Sequence, residues 1–196
     1  GAIQPDWPQQ TSLTGFPLYD EREITPIDPS LDVFLSESAD RPVVFVPGSG
    51  NRQASQFFAS AADACRRLGR RGLLLTRFPE QIPAPLPAGI HHADYAPLSE
   101  VLPRVEAVVH HGGIGTSAQA LRCECPQLVM PMTFDQPDNA ARLGQLGVSR
   151  TISPGVFTGK RVARELEKLL GSDDVSRACR NVAQRFEGID PIMETC

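Results

Sequence analysis

The apolar positions of this chain change period along its length, and the changes mark its elements. Residues 1–35 are rich in Pro, Thr, Asp and Gln and show no sustained periodicity, so they read as an extended segment and linker. Within them, Leu31–Leu35 fits one helical turn. After Pro42 the pattern becomes regular. Val43–Val46 (VVFV) is a short apolar run bounded by PGSGN, which predicts a buried strand and a tight loop. Phe57, Phe58, Ala61, Ala62, Cys65 and Leu68 recur at helical spacing, with Arg66, Arg67 and Arg70 on the opposite face. Gly69 and Gly72 punctuate the end of that helix.

The alternation continues to the C-terminus. Leu73–Leu75 predicts a second strand, GIHHADYAP holds a short third, and Val105–His110 predicts a fourth followed by a helix in GTSAQALRC. Gln127–Pro131 predicts a strand and DQPDNAARLGQLG a helix closed by Gly147. Ser149–Ile152 is the last strand, and two helices near 158–170 and 173–186 stop at Gly171 and Gly188. Strands alternating with helices imply βαβ units, so the expected fold is α/β, a doubly wound, mostly parallel, Rossmann-like sheet. In such sheets ligands lie outside the carboxyl ends of the strands.

Three strand-to-helix loops therefore draw attention. In HHGGIGT the glycines let backbone approach a ligand without a Cβ between, and unpaired amides at a helix start receive phosphate. Thr116 and Gln119 fit a capping box, placing that helix start near Thr116. His110 ends the strand at the same edge, where its imidazole can donate to a phosphate oxygen. A glycine-rich turn with a histidine satisfied in the core fits the same letters. In PGSGN, Gly48, Ser49 and Gly50 offer amides and a hydroxyl to an anion, or form a plain connection. In FDQPDNA, Pro137 fits the first helical position and puts Asp135 and Gln136 at the helix mouth. A carboxylate and an amide there suit sugar hydroxyls, or serve as N-caps, and Asn139 shares the face of Asp135. Two loops suited to anions and one to hydroxyls on one sheet point to a phosphorylated sugar.

Composition narrows the surroundings. The chain has 196 residues, 41% of them hydrophobic, enough for one domain with a sizeable core. A formal net charge of −4 argues against bulk nucleic-acid or anionic-membrane binding, so any anion must be held by local geometry. No apolar run approaches the roughly 20 residues of a membrane span. The five cysteines are odd in number and lack zinc spacing, so they read as idle thiols in a reducing compartment and no metal is expected. With no signal-peptide pattern, the expected location is cytoplasmic. Gly1 in place of Met points to a processed or engineered start.

The stretch YAPLSEVLPRVEAVVHHGGIGTSAQALRCECPQLVMPMTFDQPDNAARLGQLGV resembles the donor-binding signature of GT-B glycosyltransferases that use nucleotide-diphosphate sugars, in particular the bacterial rhamnosyltransferase and sterol or antibiotic glycosyltransferase group. PGSGN and WPQQTSLTGFPLYD are similar to that group as well. The resemblance covers the C-terminal half of such an enzyme, with 1–35 as interdomain linker and 36–196 as donor domain. It implies that His110, Gly112, Gly113, Gly115 and Thr116 hold the donor diphosphate, joined by Ser49 and Gly50. Tyr95 stands where the base stacks, Asp135 and Gln136 bind the sugar, and Asn139 supports the phosphate or sugar end. Plant members carry a ribose-binding glutamate where this chain has Ala118, which leaves UDP and dTDP both open. His111 fills a variable position.

The implied activity is inverting transfer of a hexosyl group to a lipid or small-molecule acceptor, with no cofactor beyond the UDP- or dTDP-linked co-substrate. The base is expected in an N-terminal acceptor-binding domain that this chain lacks, so no catalytic residue is assigned and the chain alone is expected to be inactive. A non-catalytic nucleotide-sugar module, or a half-enzyme needing a separate acceptor-binding subunit, is the alternative. A nucleotide-sugar 2-epimerase needs carboxylates deep in the cleft, where only Asp135 is on offer. A Rossmann oxidoreductase ranks last, since no acidic residue ends the strand after the glycine run.

Overall fold

A computed structural model describes Ile3, residues 5–188 and residues 190–195. Gly1 and Cys196, read above as start and idle thiol, lie outside the described residues. Six strands form one wholly parallel sheet: β1 (Val43–Val46), β2 (Gly72–Leu75), β3 (Ile90–Ala93), β4 (Ala107–His110), β5 (Gln127–Val129) and β6 (Ser149–Thr151). Their order is β3-β2-β1-β4-β5-β6. The chain thus reverses its direction of winding between β1 and β4, and such a switch point leaves a crevice at the strands' carboxyl ends.

Helices cover both faces, and strand alternation decides which residue meets which. Val43 and Phe45 of β1 and Ala107 and Val109 of β4 face one layer, with Phe57 and Phe58 of α2 (Ser55–Leu68) and Leu166 of α6 (Gly159–Leu170). Phe57 stacks on Phe157 with ring centroids 5.0 Å apart. Val44, Leu73 and Val108 face the opposite layer, under α1 (Pro29–Ser36) and α3 (Leu98–Val101). A third cluster joins Val129 to α5 (Gln136–Gln145) and α7 (Asp173–Ala183).

The single turn expected at Leu31–Leu35 is an eight-residue helix, α1, which buries Leu31, Phe34 and Leu35. The reason is local. Asp28 accepts from the amides of Ser30 and Leu31, and Pro29 supplies a pre-set φ at the first position. The Gln127–Pro131 strand is shorter than expected, because Met130 leaves the ladder after donating to the His110 carbonyl. Of the cysteines, Cys65, Cys125 and Cys179 are buried and unpaired, and burial pushes the Cys65 thiol up to about 12. Among the described residues no helix is long and apolar enough to cross a membrane.

Candidate functional site

The three loops leave the sheet side by side at one edge. Val46 pairs with His110, and His110 with Val129, so the loops after β1, β4 and β5 start from one row. Helix α4 (Ile114–Arg122) begins immediately after the second loop. Its N-cap is Gly113, whose side-chain-free backbone gives no cap hydrogen bond, and the first turn carries no acidic residue. The leading amides of α4 are therefore open to an anion.

The expected capping box is not formed. Thr116 lies inside α4, and the Gln119 amide instead donates to the Tyr19 carbonyl at 3.4 Å. Gly112, at φ +90, turns the chain so sharply after β4 that the helix starts at Ile114, ahead of Thr116.

The two adjacent histidines have opposite environments. His110 is fully buried, and both ring nitrogens are engaged. Nδ1 accepts from the Gly112 amide at 3.1 Å, which assigns the proton to Nε2 for donation to the Gln127 Oε1 at 3.0 Å. Burial pushes its pKa down to about 3, helped by His111 and opposed by the Gln127 bond. His110 was expected on the diphosphate; in this structure its ring is sealed in the sheet layer and presents no free donor. His111 is half-buried on the side of the loops. Its ring lies between two glycines: a Cβ on Gly48 would come within 3.1 Å of it, and one on Gly113 within 2.5 Å of Nε2. Its enclosed Nδ1 makes no hydrogen bond. Burial lowers its pKa, while the Val46 backbone and the Asp135 carboxylate act the other way.

The remaining residues sort by what they already hold. Ser49 and Gly50 are exposed on the β1–α2 loop, next to Gly48 at φ +105. Gly113 and Thr116 are half-buried and Gly115 exposed. Asn139 rivets α5 to the glycine turn: its Nδ2 donates to the Gly112 carbonyl at 2.9 Å and to Asp135 Oδ2 at 2.7 Å. Gln136 is buried, and its Oε1 accepts from the amides of Met132 and Thr133, so only its NH₂ remains to donate. Asp135 stays exposed at the mouth of α5.

Tyr95 lies beyond β3 on the far side of β2, its hydroxyl 3.4 Å from the Glu21 amide. The segment carrying Glu21 is strapped down, since Asp20 accepts from the Ser99 amide at 2.6 Å and from its hydroxyl at 3.1 Å. His91 stacks on Phe34, and His92 Nε2 lies 2.9 Å from the Thr76 carbonyl, so neither faces the loops after β4 and β5. The sequence reading missed the central place of His111, the strap at Asp20 and the structural duty of Gln136. The doubled histidine was the one available signal: consecutive strand residues leave on opposite sides, so the pair had to divide.

The assembled edge is an open shelf. The grooves of about 550 and 510 Å³ lie elsewhere: one among Arg122, Glu124 and Phe186, the other among Arg41, Glu106 and Arg180 before the strands begin. Neither is lined by the three loops.

A wholly parallel sheet with a switch point between β1 and β4, covered by helices on both faces, defines a Rossmann-like α/β domain. The chain belongs to the EryCIII-like C-terminal domain family, described as "Erythromycin biosynthesis protein CIII-like, C-terminal domain", which matches residues 77–188. It is 38% identical over 147 residues to the O-mycaminosyltylonolide 6-deoxyallosyltransferase of Streptomyces fradiae, covering 74% of this chain and 33% of that protein. Among solved structures, it superposes on the glycotransferase of kitacinnamycin with a TM-score of 0.76 at 20% identity, over 88% of this chain and 44% of that one. On glycosyltransferase VinC, solved in complex with dTDP, the TM-score is 0.65 at 23% identity, over 80% of this chain and 40% of that one. The fold is that of the Rossmann-like C-terminal half of GT-B glycosyltransferases. The chain spans about a third of the length of the curated relatives it matches.

Proposed function

We propose that this shelf binds a UDP- or dTDP-hexose as the donor half of an inverting glycosyltransferase acting on a lipid or small-molecule acceptor in the cytoplasm. No cofactor takes part. The observation that carries the reading is the uncapped start of α4 beside a histidine cradled by Gly48 and Gly113. The diphosphate lies against the amides of Gly113, Ile114, Gly115 and Thr116, with His111 in the role expected of His110, and Ser49 and Gly50 close it from the β1–α2 loop. Tyr95 carries the base. Asp135 accepts from sugar hydroxyls, the Gln136 NH₂ donates to them, and Asn139 holds the glycine turn in place.

This arrangement suits departure of the leaving group. Negative charge grows on the diphosphate as the sugar leaves, and fixed amide dipoles meet it without reorganising. The general base that takes the acceptor proton belongs to a companion acceptor-binding domain. The 196-residue chain alone therefore binds donor but does not turn over; transfer at the rate of full-length relatives would overturn that assignment.

Calorimetry against UDP, dTDP, UDP-glucose and dTDP-rhamnose tests the binding itself. His111→Ala is expected to weaken UDP by about tenfold or more, the worth of one charge-assisted hydrogen bond. His110→Gln is expected to leave UDP affinity within about twofold, a change well under 1.4 kcal/mol. The opposite ranking restores His110 to the phosphate and sinks the role given to His111.

A further inference from the structure

Most arginines of the described residues are paired with carboxylates, and one that is not, Arg77, stands beside Tyr95. Leu75 of β2 pairs with Ala93 of β3, and Arg77 and Tyr95 each follow two residues later. Their side chains therefore leave neighbouring parallel strands at one level. The Arg77 guanidinium lies over the Tyr95 ring, 5.0 Å from its centroid. Its backbone is pinned on both sides: Thr76 donates to the Ala93 carbonyl at 3.2 Å, and Phe78 donates to Thr76 Oγ1 at 3.1 Å. Arg77 is exposed, and among the described residues it has no ion pair and no hydrogen bond. Its five N–H donors are thus held, unspent, against an aromatic face.

We propose that Arg77 is the nucleobase-reading residue of the donor site, selecting a pyrimidine with a carbonyl at C4 over one with an amino group there. The proposal rests on the donor-binding reading above. In the free chain the guanidinium occupies the Tyr95 face; when the base stacks there, the guanidinium moves to the base's edge. A guanidinium only donates, so it matches the carbonyl oxygens of uracil or thymine. Cytosine presents an amino donor in place of one carbonyl, and donor against donor leaves both unpaired. Lysine would not substitute, because a point charge lacks the planar fork that both stacks and donates.

The test is calorimetry of the 196-residue chain with UDP, CDP and inorganic pyrophosphate. Arg77→Met and Arg77→Lys are compared with Arg52→Met, which removes the same charge from the same edge, where Arg52 lies 5.2 Å over the Phe78 ring. Both Arg77 variants are expected to lose about tenfold on UDP, the worth of one hydrogen bond to a charged group, and to keep CDP and pyrophosphate within about twofold. Arg52→Met is expected to keep the wild-type ratio of UDP to CDP. Equal loss on all three ligands, or the same ratio change in Arg52→Met, makes the effect one of net charge and overturns the proposal. So does unchanged UDP affinity in Arg77→Met while the wild type binds UDP. A wild-type chain that binds neither UDP nor pyrophosphate sinks the donor-binding reading itself.

Discussion

The two edges of this sheet are built on opposite plans. Before the strands, arginines are stitched in. Arg71 donates to the carbonyls of Phe34 and Asp40, pairs with Glu37 at 2.8 Å and lies 4.1 Å over the Phe34 ring. Arg70 pairs with Glu106, and Arg104 with Asp32 while also bonding Ser36. Beyond the strands, Arg52 and Arg77 rest on aromatic rings and have no carboxylate partner among the described residues. Phe134 is 94% exposed there, and Ile114 opens α4 into solvent. Unmade polar contacts persist only where water or a ligand completes them. The first edge ties Arg70, Arg71 and Arg104 into the fold, and the second leaves Arg52 and Arg77 without a carboxylate partner among the described residues.

The border between the two plans runs between His110 and His111, and the largest expected effect lies there. His110→Ala removes two buried hydrogen bonds and strands the Gly112 amide and Gln127 Oε1. Chemical denaturation at pH 7 should show a loss of about 3 kcal/mol, against about 1 kcal/mol for His111→Ala, which removes a half-buried ring. Acid sharpens the contrast. His110 has an unfolded-state pKa near 6.5 and a folded pKa of about 3, so the unfolded chain binds the extra proton first. The stability from keeping it neutral is fully present above pH 6.5 and is lost as pH falls toward 3. His110→Gln should flatten that slope; an unchanged slope would assign acid sensitivity to other groups.

A smaller effect belongs to the closed edge. Arg71→Ala deletes an ion pair, two bonds to backbone carbonyls and the cover over Phe34, and should cost about 2 kcal/mol. Arg77→Ala, its counterpart on the open edge, should change stability by about 0.5 kcal/mol or less. Denaturation midpoints of the two variants check this directly, and equal losses would erase the distinction between the edges.

Much of this division was legible in the letters. VVFV, LLL and AVVH announce buried strands, and the glycine runs after VVFV and AVVH mark the sharp turns at Gly48 and Gly112. Adjacent strands were harder to read, because pairing of β1 with β4 is settled by packing across 60 residues of intervening chain. Hence the nearness of Arg77 and Tyr95 escaped notice, since it exists only once β2 lies beside β3. The histidine pair shows the same limit. Alternation says that one ring turns inward, but Gln127, 17 residues on, decides that it is His110. The letters T-S-A-Q match a capping box, and the turn at Gly112 had already started the helix. Asp28-Pro29 before α1 was a signal in plain view, an N-cap followed by proline at the first helical position, and it was read as linker.

The smallest expected effect isolates what the open edge does with strain. Phe134 holds φ +58, a left-handed conformation that costs a residue with a Cβ about 1 kcal/mol. Its ring recovers almost none of this by burial, being 94% exposed. Phe134→Gly removes the strain but gives the unfolded chain more freedom, worth about 0.5–1 kcal/mol, so stability should stay level or rise by about 0.5 kcal/mol. If the ring instead earns its place by covering the hexose next to Asp135, the same variant should lose about threefold on UDP-glucose, the worth of roughly one methylene's burial, and nothing on UDP. Calorimetry with the two ligands separates the outcomes. A stability loss above about 1 kcal/mol would mean that Phe134 packs against the domain like a residue of the closed edge.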